Sequence, residues 1–216
     1  MKRAYCILFL IQLFIMPSYA QDTTYVDLGL SVKWATCNLG ANSPEEYGDY
    51  YAWGETETKE KYDWSTYKWC EGDFGTLTKY CVNNPRELGK VDNKTLLEPS
   101  DEVAHIKLGG SWRMPTHEEQ EELIHNCEGE WITINGIKGI ELTSKINGNS
   151  IFLPAAGGYF FPDMGVMDQG ITCIYWSSTL HPLGCTGAYA LCRYADYYYD
   201  AVPNRCNGLP IRPVRE

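Results

Sequence analysis

The chain has 216 residues, of which 44% are hydrophobic and 13% aromatic, and this length suits one ordinary hydrophobic core. Its 18 Lys and Arg residues against 28 Asp and Glu residues give a formal net charge of -10, which repels phosphate backbones and argues against nucleic acid as a partner. The 16 Tyr and 7 Trp residues are too many aromatics for a disordered chain. Composition therefore predicts a folded domain, and only motifs can indicate its function.

The first 20 residues have the parts of a secretory signal peptide. Lys2 and Arg3 precede an apolar run from Ala4 to Met16, and a break with a small-residue cleavage pattern follows. The run is shorter than the roughly 20 apolar residues that a membrane-spanning helix needs. We therefore predict export, to the periplasm, the cell surface or the medium, of a single domain over residues 21–216 that does not span the membrane.

Eight cysteines remain after Cys6 leaves with the signal peptide. An even number in an exported chain is typical of disulfides, but eight cysteines allow about a hundred complete pairings, and buried unpaired thiols are also compatible. The connectivity therefore stays open. No Cys-x-x-Cys occurs, which argues against zinc ribbons and thioredoxin-type chemistry.

The first half of the exported chain is predicted to contain few regular elements. Residues 25–37 combine β-branched and aromatic residues around Gly29 and predict a short hairpin or two strands. Residues 48–69 are dense in Tyr and Trp without helical or strand periodicity, so we expect packed loops anchored by aromatic side chains. Residues 72–101 lack periodicity and contain polar clusters, which predicts a surface insertion.

The second half is predicted to contain one clear helix and several strands. The helix follows Pro115, where Thr116 and Glu119 have the spacing of a capping box, and its four glutamates are expected on a solvated face. Asn-Gly pairs predict hairpin turns. The predicted strands lie within residues 131–140, 141–154, 173–178, 189–194 and 210–214. The pattern favours a helix-poor α+β domain with several short antiparallel strands and long loops.

Several motifs, taken in chain order, resemble the Fibrobacter succinogenes major paralogous domain. They are VDLGLSVKWATCNLGA from Val26, YGDYYAWGE from Tyr47, GGSWRMPTHEE from Gly109, IFLPAAGG from Ile151, IYWSS from Ile174 and GLPIRPV from Gly208. The set spans the exported chain, with residues 76–100 as the least similar part. That family is common in exported proteins of Bacteroidetes and Fibrobacter and is related to C-type lectins. The resemblance therefore implies a C-type-lectin-like fold.

The segment RYADYYYD, from Arg193 to Asp200, alternates tyrosines with carboxylates. Tyrosine offers a large, rigid contact surface with a polar tip, sugars stack on such rings, and carboxylates and amides bind sugar hydroxyls. The predicted ligand-binding residues are His181, Tyr194, Asp196, Tyr197, Tyr198, Tyr199, Asp200, Asn204 and Asn207. The alternative is that every second tyrosine of a strand fills the core.

The implied fold also occurs in proteins whose C-terminal segment is diversified by retroelements that rewrite adenines in codons ending in a pyrimidine. Such codons cannot encode Lys, Glu, Gln, Met or Trp, and none of these five occurs from Thr179 to Val214. An aromatic, strand-rich C-terminal segment that is not diversified also tends to lack these five amino acids. Both explanations stay open.

The motifs of catalytic and metal sites are incomplete. The calcium-dependent sugar site of C-type lectins uses Glu-Pro-Asn or Gln-Pro-Asp with Trp-Asn-Asp, whereas this chain has Val202-Pro203-Asn204 and no Trp-Asn-Asp. The segment from His117 to Glu121 resembles the zinc motif His-Glu-x-x-His, but Glu121 replaces the second histidine. Cys185 and Cys192 are similar only in number to the catalytic cysteine pair of formylglycine-generating enzymes. We therefore predict no metal, no cofactor and no catalytic residue.

These observations favour an exported, non-enzymatic, adhesin-like domain that binds a glycan or a protein through its C-terminal Tyr/Asp-rich face. The alternative is a structural subunit of a bacterial cell-surface assembly, which would use the same aromatic residues as a permanent interface. The sequence leaves the ligand, the oligomeric state and the mode of surface attachment open.

Overall fold

The structure is a computed structural model that describes residues 24–83, 88–162 and 165–216. The predicted signal peptide, residues 1–20, lies outside the described residues. Strand accounts for 30% of the described part and helix for 12%, which confirms the helix-poor α+β class. Within that part, no helix has both the length and the apolar character that crossing a membrane would require.

The strands form four small antiparallel sheets. The strands are β1 (Tyr25–Val26), β2 (Lys33–Ala35), β3 (Cys127–Ile134), β4 (Ile137–Ser144), β5 (Ser150–Pro154), β6 (Gly158–Tyr159), β7 (Val166–Met167), β8 (Cys173–Leu180), β9 (Ala188–Arg193), β10 (Tyr198–Ala201) and β11 (Val214–Arg215). Their orders within the sheets are β1-β2-β11, β3-β4-β5, β6-β7 and β8-β9-β10. The helices are α1 (Val103–Leu108) and α2 (His117–Asn126), and short 3-10 turns occupy Phe74–Thr76 and Pro99–Asp101.

Strand β8 lies between the two main parts of the core. Ile174 and Trp176 pack on one side with Trp53, whereas Cys173 and Tyr175 pack on the other side with residues of α2 and of the β3-β4-β5 sheet. Successive side chains of a strand point to opposite faces, so a strand covered on both faces is apolar throughout. Strands β9 and β10 extend outward from β8, and β10 is the exposed edge.

Helix α2 begins at the predicted capping box. The Thr116 hydroxyl accepts a hydrogen bond from the Glu119 N–H at 3.2 Å, and the Glu119 carboxylate accepts one from the Thr116 N–H at 2.8 Å. The buried Gln120 side chain donates to the Tyr175 carbonyl oxygen and accepts from the Leu191 N–H at 3.0 Å. Gln120 therefore fixes the helix against β8 and β9.

The glutamates of α2 are not all solvated, contrary to expectation. Glu119 makes a bidentate ion pair with Arg113, with N–O distances of 2.6 and 2.7 Å. Glu122 accepts a hydrogen bond from the Ser31 N–H at 3.1 Å. The helical pattern identifies a polar face, but it does not show which loops pack against that face.

The predicted hairpins and aromatic loops are confirmed. Asn135-Gly136 connects β3 to β4, the second Asn-Gly turn connects β4 to β5, and β1 pairs with β2. Within residues 48–69 the side chains of Tyr51, Trp53 and Tyr62 are almost fully buried. These large aromatics replace regular elements as the anchors of the loops.

The prediction of a surface insertion at residues 72–101 is wrong. Leu77, Tyr80 and Cys81 in this segment are buried, and Cys81 forms a disulfide with Cys185, with a Cα–Cα distance of 4.9 Å. The segment contributes individual buried side chains to the core, and these do not form the regularly spaced apolar face of a helix or strand. Such anchors leave no periodic signal in the sequence.

Two further elements differ from expectation. The six-residue helix α1 has no predicted counterpart, since so short a helix contains less than two full turns of periodicity. Of the last strand expected at residues 210–214, only Val214 lies in a strand, β11. Pro210 and Pro213 have no N–H to donate, although their carbonyl oxygens accept hydrogen bonds from Trp176 and Ala35.

The cysteines are mostly unpaired in the described part of the chain. Cys81–Cys185 is the disulfide found there, whereas the cysteines at 37, 70, 127, 173, 192 and 206 are free. Burial raises the pKa of Cys173 and that of Cys206 to about 12, so both remain neutral thiols at physiological pH. These two cysteines act as small apolar residues of the core.

The Arg205 side chain is fully buried and binds four neutral oxygens. It donates to the Tyr67 hydroxyl at 2.9 Å and, at 2.8 to 3.0 Å, to the carbonyl oxygens of Lys79, Tyr80 and Cys185. No carboxylate among the described residues pairs with it. Its charge also lies over the ring of Trp53, 5.0 Å from the ring centroid. Arg205 thereby connects the aromatic loops, the segment at residues 79–81 and the C-terminal segment.

Replacing Arg205 tests this connection. Arg205→Met keeps an unbranched side chain and leaves several buried acceptors without a donor, so we expect it to lower the free energy of unfolding by roughly 3 to 5 kcal/mol. Arg215→Met on β11, a position that is only half-buried, should cost under about 1 kcal/mol. Urea denaturation of both variants measures the difference. Equal losses would contradict the role given to Arg205.

Candidate ligand-binding site

The predicted binding residues from Tyr194 to Asp200 lie on or just before the edge strand β10, on both sides of the β8-β9-β10 sheet. Tyr199 pairs with Cys192, and Asp200 pairs with Leu191, so consecutive residues of β10 face opposite ways. Cys192 belongs to the core around Trp176, whereas Leu191 belongs to the core beneath α2. The predicted single face is therefore divided in two.

Three tyrosine rings form a stacked group on the side away from α2, which we call the tyrosine platform: Tyr194, Tyr197 and Tyr199. The centroids of Tyr194 and Tyr197 are 4.8 Å apart with planes inclined by 16°, and those of Tyr197 and Tyr199 are 6.2 Å apart with planes inclined by 20°. Tyr197 is 54% exposed and Tyr199 is 45% exposed. Tyr198, which lies between them, is also exposed at 37%, so the alternative in which every second tyrosine of this strand fills the core is wrong.

The platform borders a cleft of about 480 Å³, which we call the tyrosine cleft. Its walls come from the platform, from the chain around β6 and β7, and from the segment after β10. The lining residues include Phe160, Met167, Asp168, Thr172, Cys192, Tyr194, Tyr199, Val202, Pro203, Asn204 and Asn207. The cleft therefore joins parts of the chain that are up to 47 residues apart in sequence.

The polar side chains of the cleft differ in whether they already make hydrogen bonds within the chain. Asn207 is buried, and its amide oxygen accepts a hydrogen bond from the Phe161 N–H at 2.9 Å, so it shapes the wall. The Thr172 hydroxyl is buried and has no hydrogen-bond partner among the described residues. An unsatisfied buried hydroxyl costs free energy, and a ligand that reaches Thr172 would recover it after a small side-chain rotation.

Tyr199 and Cys192 are opposite each other on β10 and β9, and both line the cleft. The interaction with Cys192, together with burial, raises the pKa of the Tyr199 phenol, while burial raises the pKa of Cys192 to about 11. Both groups are therefore neutral at physiological pH. They can donate or accept hydrogen bonds, but Cys192 does not supply the thiolate that a nucleophile requires.

Four of the nine predicted residues, Tyr194, Tyr199, Asn204 and Asn207, line the tyrosine cleft. Tyr197 extends the platform, and Asp196 is exposed in the turn that precedes β10.

The remaining three predicted residues lie on the α2 side of the sheet. Tyr198 contacts the ring of His125, Asp200 lies next to His117, and His181 packs edge-on against Tyr189. Burial and the neighbouring His117 lower the pKa of His181. These three residues are therefore not placed to contact a ligand in the tyrosine cleft.

The cleft residues before β8 were not predicted. Phe160, Met167, Asp168 and Thr172 lie in a stretch that contains turns and two-residue strands. The positive φ of 58° at Asp168, a conformation in which Asp and Asn are enriched, is visible only in the structure. The sequence does not show that this stretch faces the tyrosine platform.

The hypothesis of a catalytic pair formed by Cys185 and Cys192 is wrong. Cys185 is bonded to Cys81, and Cys192 is a buried thiol on β9. The two residues also belong to different groups of the core.

A second cavity, of about 450 Å³, lies between α1 and the start of α2. Glu102, Arg113 and Glu216 contribute its charged groups. Burial raises the pKa of Glu102 to about 7, against an opposing effect of the nearby Arg113. Since Arg113 is already paired with Glu119, this cavity offers no free cation among its described lining residues to an acidic ligand.

Comparisons with known proteins identify no relative. No family model, no curated protein and no solved structure matches the chain. Its function is therefore inferred from the geometry of the described residues.

The buried carboxyl of Glu102 predicts a pH dependence of stability. Its folded pKa of about 7 lies above the ordinary value of 4.5, so its stabilising effect is complete below about pH 4.5 and is lost as the pH rises through about 7. A shift of this size corresponds to roughly 3 kcal/mol. Between about pH 4.5 and pH 8, the free energy of unfolding should decrease by roughly that much more in the wild type than in Glu102→Gln.

Urea denaturation over this pH range measures the two slopes. Glu118→Gln, at an exposed position of α2, is the matched control and should follow the wild type. If Glu102→Gln also follows the wild type, the pKa of Glu102 is not raised.

Proposed function

We propose that the protein is an exported, non-enzymatic, adhesin-like domain of C-type-lectin-like fold that binds a glycan in the tyrosine cleft. The observation that carries this proposal is the stack of three nearly parallel tyrosine rings at the border of the cleft. Two sequence features support it: the signal-peptide pattern and the ordered motifs that resemble the Fibrobacter succinogenes major paralogous domain.

The size of the cleft favours a glycan over a protein. A volume of about 480 Å³ falls within the roughly 300 to 1,000 Å³ of small-molecule sites. A stable protein interface instead covers about 800 Å² on each partner, usually on a flatter surface. A short glycan end would place the apolar face of a sugar on the tyrosine rings and its hydroxyls near Thr172 and Asn204.

The charge of the cleft favours an uncharged glycan. Asp168 is the charged residue among its described lining residues, and no Lys or Arg is found there. The net charge of the whole chain, -10, has the same sign. Sulfated or sialylated glycans would meet electrostatic repulsion without a cation to offset it.

The polar groups of the cleft support binding without hydrolysis. Most glycosidases use two carboxylates about 5 to 9.5 Å apart, and Asp168 has no second carboxylate beside it among the described lining residues. The Cys192 thiol is neutral, as described above. The groups present can orient a sugar by hydrogen bonds, which is sufficient for recognition.

We further propose that residues 179–214 are diversified in related strains. The support is the absence of five amino acids from this segment together with the position of its exposed residues, since Tyr194, Tyr197 and Tyr199 meet at the cleft. Sequencing the locus in sibling isolates tests this. We expect substitutions confined to adenine positions and a nearby template copy, and an invariant segment without a template would contradict the proposal.

Glycan binding is tested on an array of neutral, sialylated and sulfated glycans with the exported chain. We expect neutral glycans to bind, and Tyr199→Ala to weaken the tightest of them about tenfold, because one stacked ring is worth roughly 1 kcal/mol or slightly more. Tyr25→Ala is the matched control, since Tyr25 is 46% exposed but lies on β1, and it should leave the affinity unchanged. Equal affinity of all three proteins would contradict the proposal.

The variant Thr172→Val distinguishes a loss of glycan affinity from a loss of folding stability. Because the hydroxyl has no partner in the folded chain, its removal should leave the unfolding free energy unchanged or slightly higher, while it weakens glycan binding. An absence of glycan binding combined with concentration-dependent self-association would favour the structural-subunit alternative.

A further inference from the structure

Three potential metal ligands meet on the α2 side of the β8-β9-β10 sheet, opposite the tyrosine cleft. His117 and Glu121 are four residues apart on α2, so their side chains share one face of the helix. Asp200 reaches them from the edge strand β10. One nitrogen and two carboxylate oxygens of these residues all lie within 4.8 Å of one another, and the His117 Nε2 to Asp200 oxygen distance is 3.8 Å.

The His117 ring is held in one orientation by its neighbours. It stacks on Tyr189 with a centroid distance of 3.9 Å and an interplanar angle of 4°. The His117 N–H also donates to the Thr179 hydroxyl at 3.0 Å, which fixes the backbone at the start of the helix. The side chain is only 18% exposed. A metal ligand with a fixed ring loses little conformational entropy when it binds.

The two carboxylates of this group are not engaged elsewhere. Other glutamates of the same helix have partners, since Glu119 binds Arg113 and Glu122 binds Ser31. No described residue donates a hydrogen bond to the Glu121 carboxylate, and the 3.8 Å contact of Asp200 with His117 is longer than a hydrogen bond. Two adjacent negative charges without a strong partner favour a cation between them.

We propose that His117, Glu121 and Asp200 form a binding site for a divalent transition-metal cation of the zinc type. One imidazole nitrogen with two carboxylate oxygens is a donor set that Zn²⁺ accepts, with water in the remaining position. Calcium is disfavoured, because it requires six to eight oxygen ligands. The sequence-based prediction of no metal rested on a consecutive motif, and the third ligand here comes from 79 residues beyond Glu121.

The three ligand atoms must move slightly closer together to coordinate one zinc ion. Ligand atoms at about 2.1 Å from a tetrahedral Zn²⁺ lie about 3.4 Å apart, against up to 4.8 Å here. Asp200 is 43% exposed, so its side chain is free to rotate toward the other two. The bound cation would hold β10 against α2, and it would therefore restrain the strand that also contributes Tyr199 to the tyrosine cleft.

Titration calorimetry with Zn²⁺ alone, on untagged exported chain, tests the site. We expect one zinc per chain and at least a tenfold loss of affinity in Asp200→Asn and in Glu121→Gln, two half-exposed positions whose replacement should not unfold the protein. Glu118→Gln on the same helix and His105→Gln on α1 are the matched controls and should bind as the wild type does. Unchanged affinity in both site variants would overturn the proposal.

Cobalt distinguishes this site from the free cysteines. Co²⁺ bound by one nitrogen and oxygens gives weak visible absorption, whereas bound thiolate adds an intense ultraviolet charge-transfer band. We expect the weak spectrum and its loss in Asp200→Asn. A thiolate band in the wild type would place the cation at a cysteine and would also overturn the proposal. Neither measurement depends on glycan binding, so this site and the tyrosine cleft can fail independently.

Discussion

The arrangement of the C-terminal segment depends on a buried guanidinium that is neutralised by no described carboxylate. Arg205 donates four hydrogen bonds, to a tyrosine hydroxyl and three backbone carbonyl oxygens, and it lies over the ring of Trp53. Burying such a charge is costly unless every donor has a partner. Four of the five guanidinium N–H groups have a partner among the described residues, and they have it only when the aromatic loops, the segment around Tyr80 and the chain after β10 are all in place. The rim of the tyrosine cleft, from Val202 to Asn204, immediately precedes Arg205 and takes its position from it.

The edge strand β10 gives the two sides of its sheet different chemistry. Tyr199 faces a cleft of aromatic, hydroxyl and amide groups in which Asp168 is the one charged residue among those described, whereas Asp200, one residue later, faces a histidine and a second carboxylate on α2. This follows from strand geometry, because adjacent side chains point in opposite directions. A Tyr/Asp-rich sequence on an edge strand therefore separates its aromatic and its acidic functions. In our account the aromatic side recognises a sugar, and the acidic side binds a cation that restrains the same strand.

Local signals in the sequence predicted local structure well. The capping box at Thr116 and the Asn-Gly turns are short-range patterns, and each is present as expected. Sites that need distant parts of the chain were predicted only in part. The tyrosines of the cleft were found because they lie within one short segment, but Thr172 and Asp168 were not, since only the fold brings them to that segment. Residues 72–101 were misjudged for a similar reason, because Tyr80 and Cys81 are buried by partners that lie far away in sequence.

We propose that the protein binds its glycan in the tyrosine cleft. Hydrogen–deuterium exchange of the exported chain, with and without the neutral glycan that binds most tightly on an array, locates the contact surface without any substitution. Our account predicts slower exchange in residues 194–204 and around Asp168 to Thr172, and unchanged exchange around Glu102 in the second cavity. Protection confined to the second cavity, or to the loops at residues 48–69, would contradict it.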